Sequence, residues 1–402
     1  MKYSKDEVLQ YVHEDDVKFI RLAFCDVFGR QKNISIMPDE LERAFEEGIP
    51  FDSSAIEGFG NVTGSDLFIH PDPETIMQLP WRPEHGKVVR MYSGITYPDG
   101  REFELDTRNI LKKAIAEASG RGIKFLFGTE QEFYLFCRDE NDNPTKTPYD
   151  NAGYMDIAPD DRGENIRREI CLTLEQMGIR PENSYHKEGP GQNEIDFRYS
   201  DTLSAADNAV TFQTVVKIIA HRNGLCADFS PKPIETAPGS GFHINIVPDK
   251  GGEGKNFSHM VGGIMEKIGE ITLFLNPSDN SYRRFGMNKA PGFVSWSKGN
   301  RSQLIRITDY KGNPCRAEIR SPDSGSNPYL AFALLIYSAI YGIENGTPLP
   351  EETDISLLRA GDDIPGISRL PESLSAARRI ASESSFVSEL VPKQILECYC
   401  DR

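Results

Sequence analysis

The sequence predicts an α+β chain of two unequal domains, and three observations carry that expectation. The first hundred residues read as short strands and turns: Val17 to Val27 is apolar-rich, Phe28-Gly29-Arg30 reads as a turn, and Lys32 to Ile36 resumes an extended pattern before a helix over Asp39 to Glu47. Turn residues then cluster at Tyr97-Pro98-Asp99-Gly100, and Thr107 is expected to cap a helical run over Arg108 to Ser119. That cluster sets a boundary between a small domain, residues 1–104, and a larger one, residues 105–402. Beyond it, strand candidates at 124–136, 193–199, 241–247, 303–307 and 315–321 alternate with helix candidates at 163–178, 205–223, 260–275 and 328–345, with no internal repeat.

Each element draws on a composition typical of an enzyme core. With 38% hydrophobic and 26% charged residues over 402 positions, the chain buries enough apolar surface for more than one domain. Its net charge of −16 disfavours nucleic acid and anionic membrane as partners and points to a small substrate. No apolar run approaches the ~20 residues that span a bilayer, and the first residues lack the apolar centre of a signal peptide, so a cytoplasmic location is expected. Seven scattered cysteines do not suit a disulfide framework; Cys398-Tyr399-Cys400 is expected to be a solvated tail, since one such pair is a weak metal signal.

The chemistry falls on the strands. Side chains two apart in a strand share a face, so GTEQEF at 128–133 sets Glu130 beside Glu132 among apolar neighbours. Like charges buried together are costly, and a bound cation is one remedy; a half-solvated edge strand is the other. The pattern recurs: QNEID presents Glu194, GFHIN presents His243 with Asn245, and RAEIR presents Glu318 with Arg316 and Arg320. Carboxylates with one imidazole suit a hard divalent ion, magnesium or manganese ahead of zinc. Arg283, Arg284, Arg301, Arg306, Arg316 and Arg320 crowd the same stretch, an arrangement that clamps phosphoryl groups or a carboxylate, or else lines a solvated basic face. Gly189-Pro190-Gly191 and Pro238-Gly239-Ser240-Gly241 let backbone approach a ligand, while neither GxxxxGK[ST] nor GxGxxG is present after a strand.

In this order the segments resemble glutamine synthetase over nearly the whole chain. The matching stretches are FDSSAIEGF, PDGREFELDTR, GTEQEFYLF, GYMDIAP to GENIRREI, HKEGPGQNEIDFRYSD, KPIETAPGSGFHIN, NPSDNSYRR, NRSQLIRI and RAEIRSPDSGSNPYLA. The resemblance implies a β-grasp-like N-terminal domain and a catalytic domain whose antiparallel strands form a funnel. It implies an ATP-dependent γ-glutamyl ligase working through a γ-glutamyl phosphate on glutamate, ATP and an amine, assembled as a homo-hexamer or double-ring dodecamer with active sites between subunits. Two or three Mg2+ or Mn2+ ions are implied, one held by Glu132, Glu188 and Glu194 and a second by Glu130, His243 and Glu318. By position Arg284 and Arg320 would grip glutamate with Gly239 lining its pocket, Arg301 and Arg306 would stabilise the γ-phosphate, Tyr199 and Asn245 would lie by ATP, and Asp52 would deprotonate ammonium from a neighbouring subunit.

Four departures concern the amine side. The flap reads GMNKAP, with Lys289 where the family carries a glutamate, and a cation in that closed site would repel ammonium by more than ~1 kcal/mol. Pro238 replaces an asparagine, Ala55 a serine, and Lys187 stands where a second histidine is typical, in a segment one residue short. There is also little room for the family's C-terminal helical arm. Glutamine synthesis is the leading expectation; a sibling ligase using another amine and a non-catalytic ring are the alternatives.

Overall fold

The hairpin is closed by Asp26, whose Oδ1 accepts from the Phe28 and Arg30 backbone N–H groups at 3.0 and 2.9 Å. In the computed structural model, which describes residues 3–60, 64–81, 86–248, 255–310, 313–357 and 364–401, it joins β1 (Val17–Cys25) to β2 (Gln31–Ile36) after α1 (Lys5–Glu14). The expected next helix forms as a 3-10 turn, Pro38–Glu40, running into α2 (Leu41–Glu46). β3 (Ile49–Asp52), β4 (Asp66–Pro71), β5 (Met77–Gln78) and β6 (Lys87–Thr96) complete a six-stranded sheet in the order β2-β1-β6-β4-β3, with β5 on β6. Only the central β1/β6 pair is parallel.

Next comes α3 (Thr107–Gly120), and its cap is Asp106 rather than Thr107. The Asp106 carboxylate reaches the orphan N–H groups of Arg108 and Asn109, while Thr107 is buried as the first helical residue. Then follow β7 (Phe125–Arg138), β8 (Pro144–Pro148), α4 (Glu164–Gln176), β9 (Pro181–His186), β10 (Gln192–Phe197), β11 (Ser200–Asp201), α5 (Thr202–Arg222), β12 (Leu225–Asp228), β13 (Phe242–Pro248), α6 (Lys255–Leu275) and α7 (Asp279–Tyr282). β14 (Trp296–Ser297), β15 (Ile305–Tyr310), β16 (Asn313–Ile319), α8 (Pro328–Asn345), α9 (Leu374–Glu383), α10 (Ser385–Leu390) and α11 (Lys393–Asp401) end the chain.

These strands form one ten-stranded sheet, β14-β15-β16-β13-β7-β10-β9, with β8, β11 and β12 also on β7 and only β14/β15 parallel. One face of β7 is apolar and packed: Phe127 stacks on Phe332 of α8 at 4.5 Å, and Phe133 meets Phe212 of α5 edge-on at 6.0 Å. Alternation therefore turns Glu130 and Glu132 to the other face.

Ties between the small sheet's side and the helices of the large domain include two at buried residues, Arg108 and Tyr399. Arg108 of α3, 3% exposed, grips Asp207 of α5 through Nε at 3.0 Å and Nη2 at 2.9 Å, and reaches Asp72 beside β4 through Nη1 at 3.0 Å. Tyr329 donates to the same Asp207 at 2.7 Å, and Tyr92 of β6 donates to its backbone carbonyl at 3.0 Å. The second tie overturns the expected solvated tail. Tyr399 of α11 is buried between Phe28 and Phe274, at 5.1 and 4.9 Å between ring centroids, and donates to the Val27 carbonyl at 3.1 Å. Ile395 and Tyr399, four apart, form the apolar stripe that docks α11. The six described cysteines are free, and only Cys25 among them is buried; the Cys315 side chain lies outside the described residues. Among the described residues no helix is long and apolar enough to cross a membrane.

Candidate active site

Register brings the expected residues into rows. Glu132 of β7 lies directly opposite Glu194 of β10, and Glu130 lies opposite both Asp196 of β10 and His243 of β13. Asn245 of β13 faces Glu318 of β16, which in turn faces Arg306 of β15. Like charges opposite one another oppose pairing, so these rows call for cations.

Among the described residues three groups could hold a divalent ion: Asp150, Asp161 and His186, where His186 pairs with Asp150 and Arg167 with Asp161; Glu130, Glu194 and Asp196; and, sharing Glu130, a set with an imidazole. Ligand atoms of Glu130, His243 and Glu318 all lie within 4.8 Å of one another, with His243 Nδ1 at 3.1 Å from Glu130 and 3.7 Å from Glu318. Burial alone would push both carboxyls up. For Glu130, hydrogen bonds from His243 and Asn245 outweigh it and bring the pKa down to about 2. For Glu318 the Arg320 charge does so, aided by His243 and Arg306. Both are therefore anionic at neutral pH, as a hard ion requires. Asn245 Oδ1 and Asp196 Oδ1 are buried with no hydrogen-bond partner, two further oxygens facing the same region. These residues fit a divalent ion.

The Glu132 row does not. Lys187 Nζ sits between the two carboxylates, 2.8 Å from Glu132 and 2.5 Å from Glu194, and Tyr185 donates its hydroxyl to Glu194. Burial raises Glu194, and its acidic neighbours outweigh the Lys187 charge, so it stays well above the carboxylate range. Glu132, where Lys187 and His243 outweigh burial, is held well below it. Glu188, the third expected ligand of this set, pairs with Lys289.

The Lys187 backbone is fixed from two sides. Its N–H donates to Gln192 at 2.8 Å, and its carbonyl accepts from His186 Nδ1 at 2.7 Å, while His186 Nε2 meets Asp150 at 2.9 Å. With acceptors on both ring nitrogens the imidazolium is satisfied, so Asp150 and the carbonyl outweigh burial and raise the His186 pKa. A raised imidazole contributes stability in full below its unfolded value of about 6.5 and loses it as pH climbs through the folded value. Asp150, lowered by His186 against burial, contributes above its unfolded value of about 3.9 and loses it as pH falls through its folded one. The pair is thus worth most between those limits. The urea midpoint is expected to fall from pH 6.5 to pH 9 more steeply for the native chain than for His186→Asn, and equal slopes would rule this out. Asp150→Asn should cost about 3 kcal/mol at pH 6.5 in the same titration.

The arginines divide. Arg306 Nη1 reaches Glu318 at 3.1 Å, Arg320 pairs with Glu318 and donates Nε to the Arg301 carbonyl at 3.1 Å, and Arg301 is exposed. Arg284 differs from the expected glutamate clamp. It lines the small cleft, and both of its Nη atoms donate to backbone carbonyls of residues 320–322 at 3.0–3.2 Å, so it also props the cleft wall. Gly239 makes room for it, since a Cβ there would lie 2.5 Å from Arg284 Cγ. Two cavities flank the rows. A cleft of about 40 Å³ is lined by Glu130, Glu188, Gly239, His243, Lys289 and Arg320, and one of about 550 Å³ by Tyr199, Asn245, Arg301, Arg306 and Arg316. Tyr199 packs on Gly128, where a Cβ would lie 3.1 Å from its ring, and accepts from Arg316 at 3.3 Å.

The family model described as glutamine synthetase, beta-Grasp domain, matches residues 16–98, and that described as glutamine synthetase, catalytic domain, matches residues 104–402. The chain belongs to the glutamine synthetase family. It is similar to the glutamine synthetase of Methanosarcina mazei, at 42% identity over 98% of this chain and 92% of that one. The Clostridium saccharobutylicum glutamine synthetase is 39% identical over 99% and 94%. Among solved structures, GmaS bound to ADP superposes with a TM-score of 0.88 at 24% identity over 98% of this chain and 94% of that one. Plasmodium falciparum glutamine synthetase does so at 0.86 and 22% over 100% and 95%, two likenesses of fold. A β-grasp domain followed by a larger catalytic domain is thus the architecture, and the chain is of a ligase family that uses ATP and divalent metal ions.

Within the glutamine synthetase plan, the flap is the main surprise. Asn288 and Lys289 both adopt positive φ, 47° and 68°, and this turn sets the ammonium of Lys289 on Glu188 and 5.6 Å from the Tyr154 ring. In this conformation the Lys289 charge is paired with Glu188, which offsets the repulsion expected from the sequence while the contact holds. Asp52 ends β3 exposed, held below the usual range by the Ser54 hydrogen bonds, and it does not line either cavity. Sequence reasoning missed Asp196, which burial and the Glu130 charge raise to about 7, and Tyr185. Asp196 was available as the next same-face residue after Glu194, and Tyr185 as the same-face partner of Lys187.

Proposed function

We propose that the chain makes glutamine from glutamate, ammonia and ATP through γ-glutamyl phosphate. The observation that carries this is the convergence of Glu130, His243 and Glu318 with Arg306 and Arg320 on one face of the catalytic sheet. A divalent ion bound by Glu130, His243 and Glu318 would supply charge neutralisation and polarisation at the transferred phosphoryl group. ATP lies in the cavity of about 550 Å³ between Tyr199, Asn245, Arg301 and Arg306. A γ-carboxylate oxygen of glutamate attacks the γ-phosphorus and ADP leaves, with Arg301 and Arg306 neutralising the charge that develops on the phosphoryl oxygens. Arg320 orients glutamate, and Arg284 fixes the backbone that carries it. Ammonium gives a proton to Asp52, the free amine attacks the acyl carbon, and phosphate departs.

The cleft of about 40 Å³ holds no more than a few waters, so glutamate entry requires the Lys289–Glu188 contact to part. Asp52, outside both cavities, supports a ring in which a neighbouring chain completes each site, with domains at 1–104 and 105–402. The test is ATP-dependent phosphate release with glutamate and magnesium across ammonia, methylamine, ethanolamine, a diamine and several amino acids, with product masses recorded. Glutamine from ammonia supports the reading; amide formation only with another amine overturns it.

A further inference from the structure

We propose that the ammonium of Lys187 takes the place of a divalent ion between Glu132 and Glu194, with Lys289 completing the replacement at Glu188, so that this chain holds its protein-bound metal only at Glu130, His243 and Glu318. The inference deepens the ligase reading and rests on it for the site's purpose, though the ion count it makes is independent of turnover.

The placement follows from the sheet. Tyr185 of β9 lies opposite Glu194 of β10, which lies opposite Glu132 of β7. Residues two apart share a face, so Lys187, two beyond Tyr185, is aimed at the same carboxylate pair. The Gly189-Pro190-Gly191 turn, tied to Asp150 through the Gly191 N–H, and the His186–Asp150 pair hold its backbone on either side. Its Nζ lies at hydrogen-bond distance from both glutamates, with the Tyr185 ring centroid 5.6 Å away. Glu132 and Glu194 are buried and Lys187 is half-buried against them, its side chain 18% exposed, so these contacts are partly shielded from solvent.

Charge and geometry agree. Two ammonium groups carry the same +2 as one divalent ion, and they meet the same three side chains, Glu132, Glu194 and Glu188. Lys187 Nζ lies against the Glu132 and Glu194 oxygens that a divalent ion would need, and that ion would sit beside a half-buried like charge. Fewer protein-held ions also suit this particular flap. Lys289 is released from Glu188 when glutamate enters, and an ion at Glu188 would repel the returning ammonium.

Manganese binding to the full-length chain without nucleotide, counted by the electron paramagnetic resonance of free Mn2+, tests this. The native chain is expected to bind one ion per chain, Lys187→Ala two, and Glu318→Gln none. Two ions on the native chain would overturn the proposal, and so would a Lys187→Ala count that stays at one. If Lys187→Ala does not fold in a chelator, Mn2+ added during refolding is expected to restore it, and no rescue overturns the proposal. Failure of the native chain to make glutamine while these counts hold would instead strike at the assigned reaction.

Discussion

Glutamine in place of Glu318 is expected to lower kcat about 10³-fold, the largest catalytic effect of any single change in this site. Glu318 is 1% exposed, and three cationic or metal-facing groups meet it: His243 at 3.7 Å, Arg306 at 3.1 Å, and Arg320. A neutral amide of the same shape keeps the packing but removes the charge that the ion and both guanidinium groups answer. On the proposed reaction it is therefore expected to disturb ion binding, phosphoryl stabilisation and glutamate orientation together. The folded state is expected to lose about 2–3 kcal/mol as well, since hydrogen bonds to a charged acceptor become neutral ones. Steady-state phosphate release and urea unfolding separate the two effects. Activity within threefold of native in a fully folded variant would place the chemistry elsewhere.

Arg108→Ala should destabilise the chain by about 3–5 kcal/mol, the largest stability effect expected. The guanidinium is buried against two carboxylates, bidentate on Asp207 and single on Asp72, and its removal leaves both acids in a nearly dry environment. Asp207 would keep only the Tyr329 hydroxyl among these partners. Because Asp72 belongs to the small sheet's side and Asp207 to α5, the loss should also loosen the junction. Urea unfolding followed by near-ultraviolet dichroism checks the magnitude; a cost under 1 kcal/mol would mean that water replaces the arginine, which the burial here argues against.

Much of this was legible in the sequence, and the failures have physical causes. β7, β10, β13 and β16 were readable because charged or polar residues, Glu130 and Glu132, Glu194, His243 and Asn245, and Glu318, alternate with apolar ones and are costly to bury without partners. What spacing cannot supply is register: nothing local says that Glu194 faces Glu132 or that Asp196 faces Glu130. β9 was missed because Pro181-Glu182-Asn183-Ser184 is polar and ends the sheet's path, so it borrows its hydrogen bonds from β10. The lysines at 187 and 289 were recognised as departures, but their partners could not be read, because those are set by tertiary contacts. Arg284 carried the expected position in the order of the chain, yet its direction is decided by the carbonyls of residues 320–322. Tyr399 was taken for tail because two cysteines drew the eye from Ile395 four residues before it.

The docking of that tyrosine has a consequence for how the protein is made. Its hydroxyl meets the Val27 carbonyl 372 positions earlier in the chain. At ~5–20 residues per second, a ribosome needs on the order of 20–75 s to deliver one partner after the other. Through that interval the Phe28 ring lacks the cover that Tyr399 gives it in the finished fold, so the nascent first domain waits with part of its apolar surface open to solvent or to a chaperone.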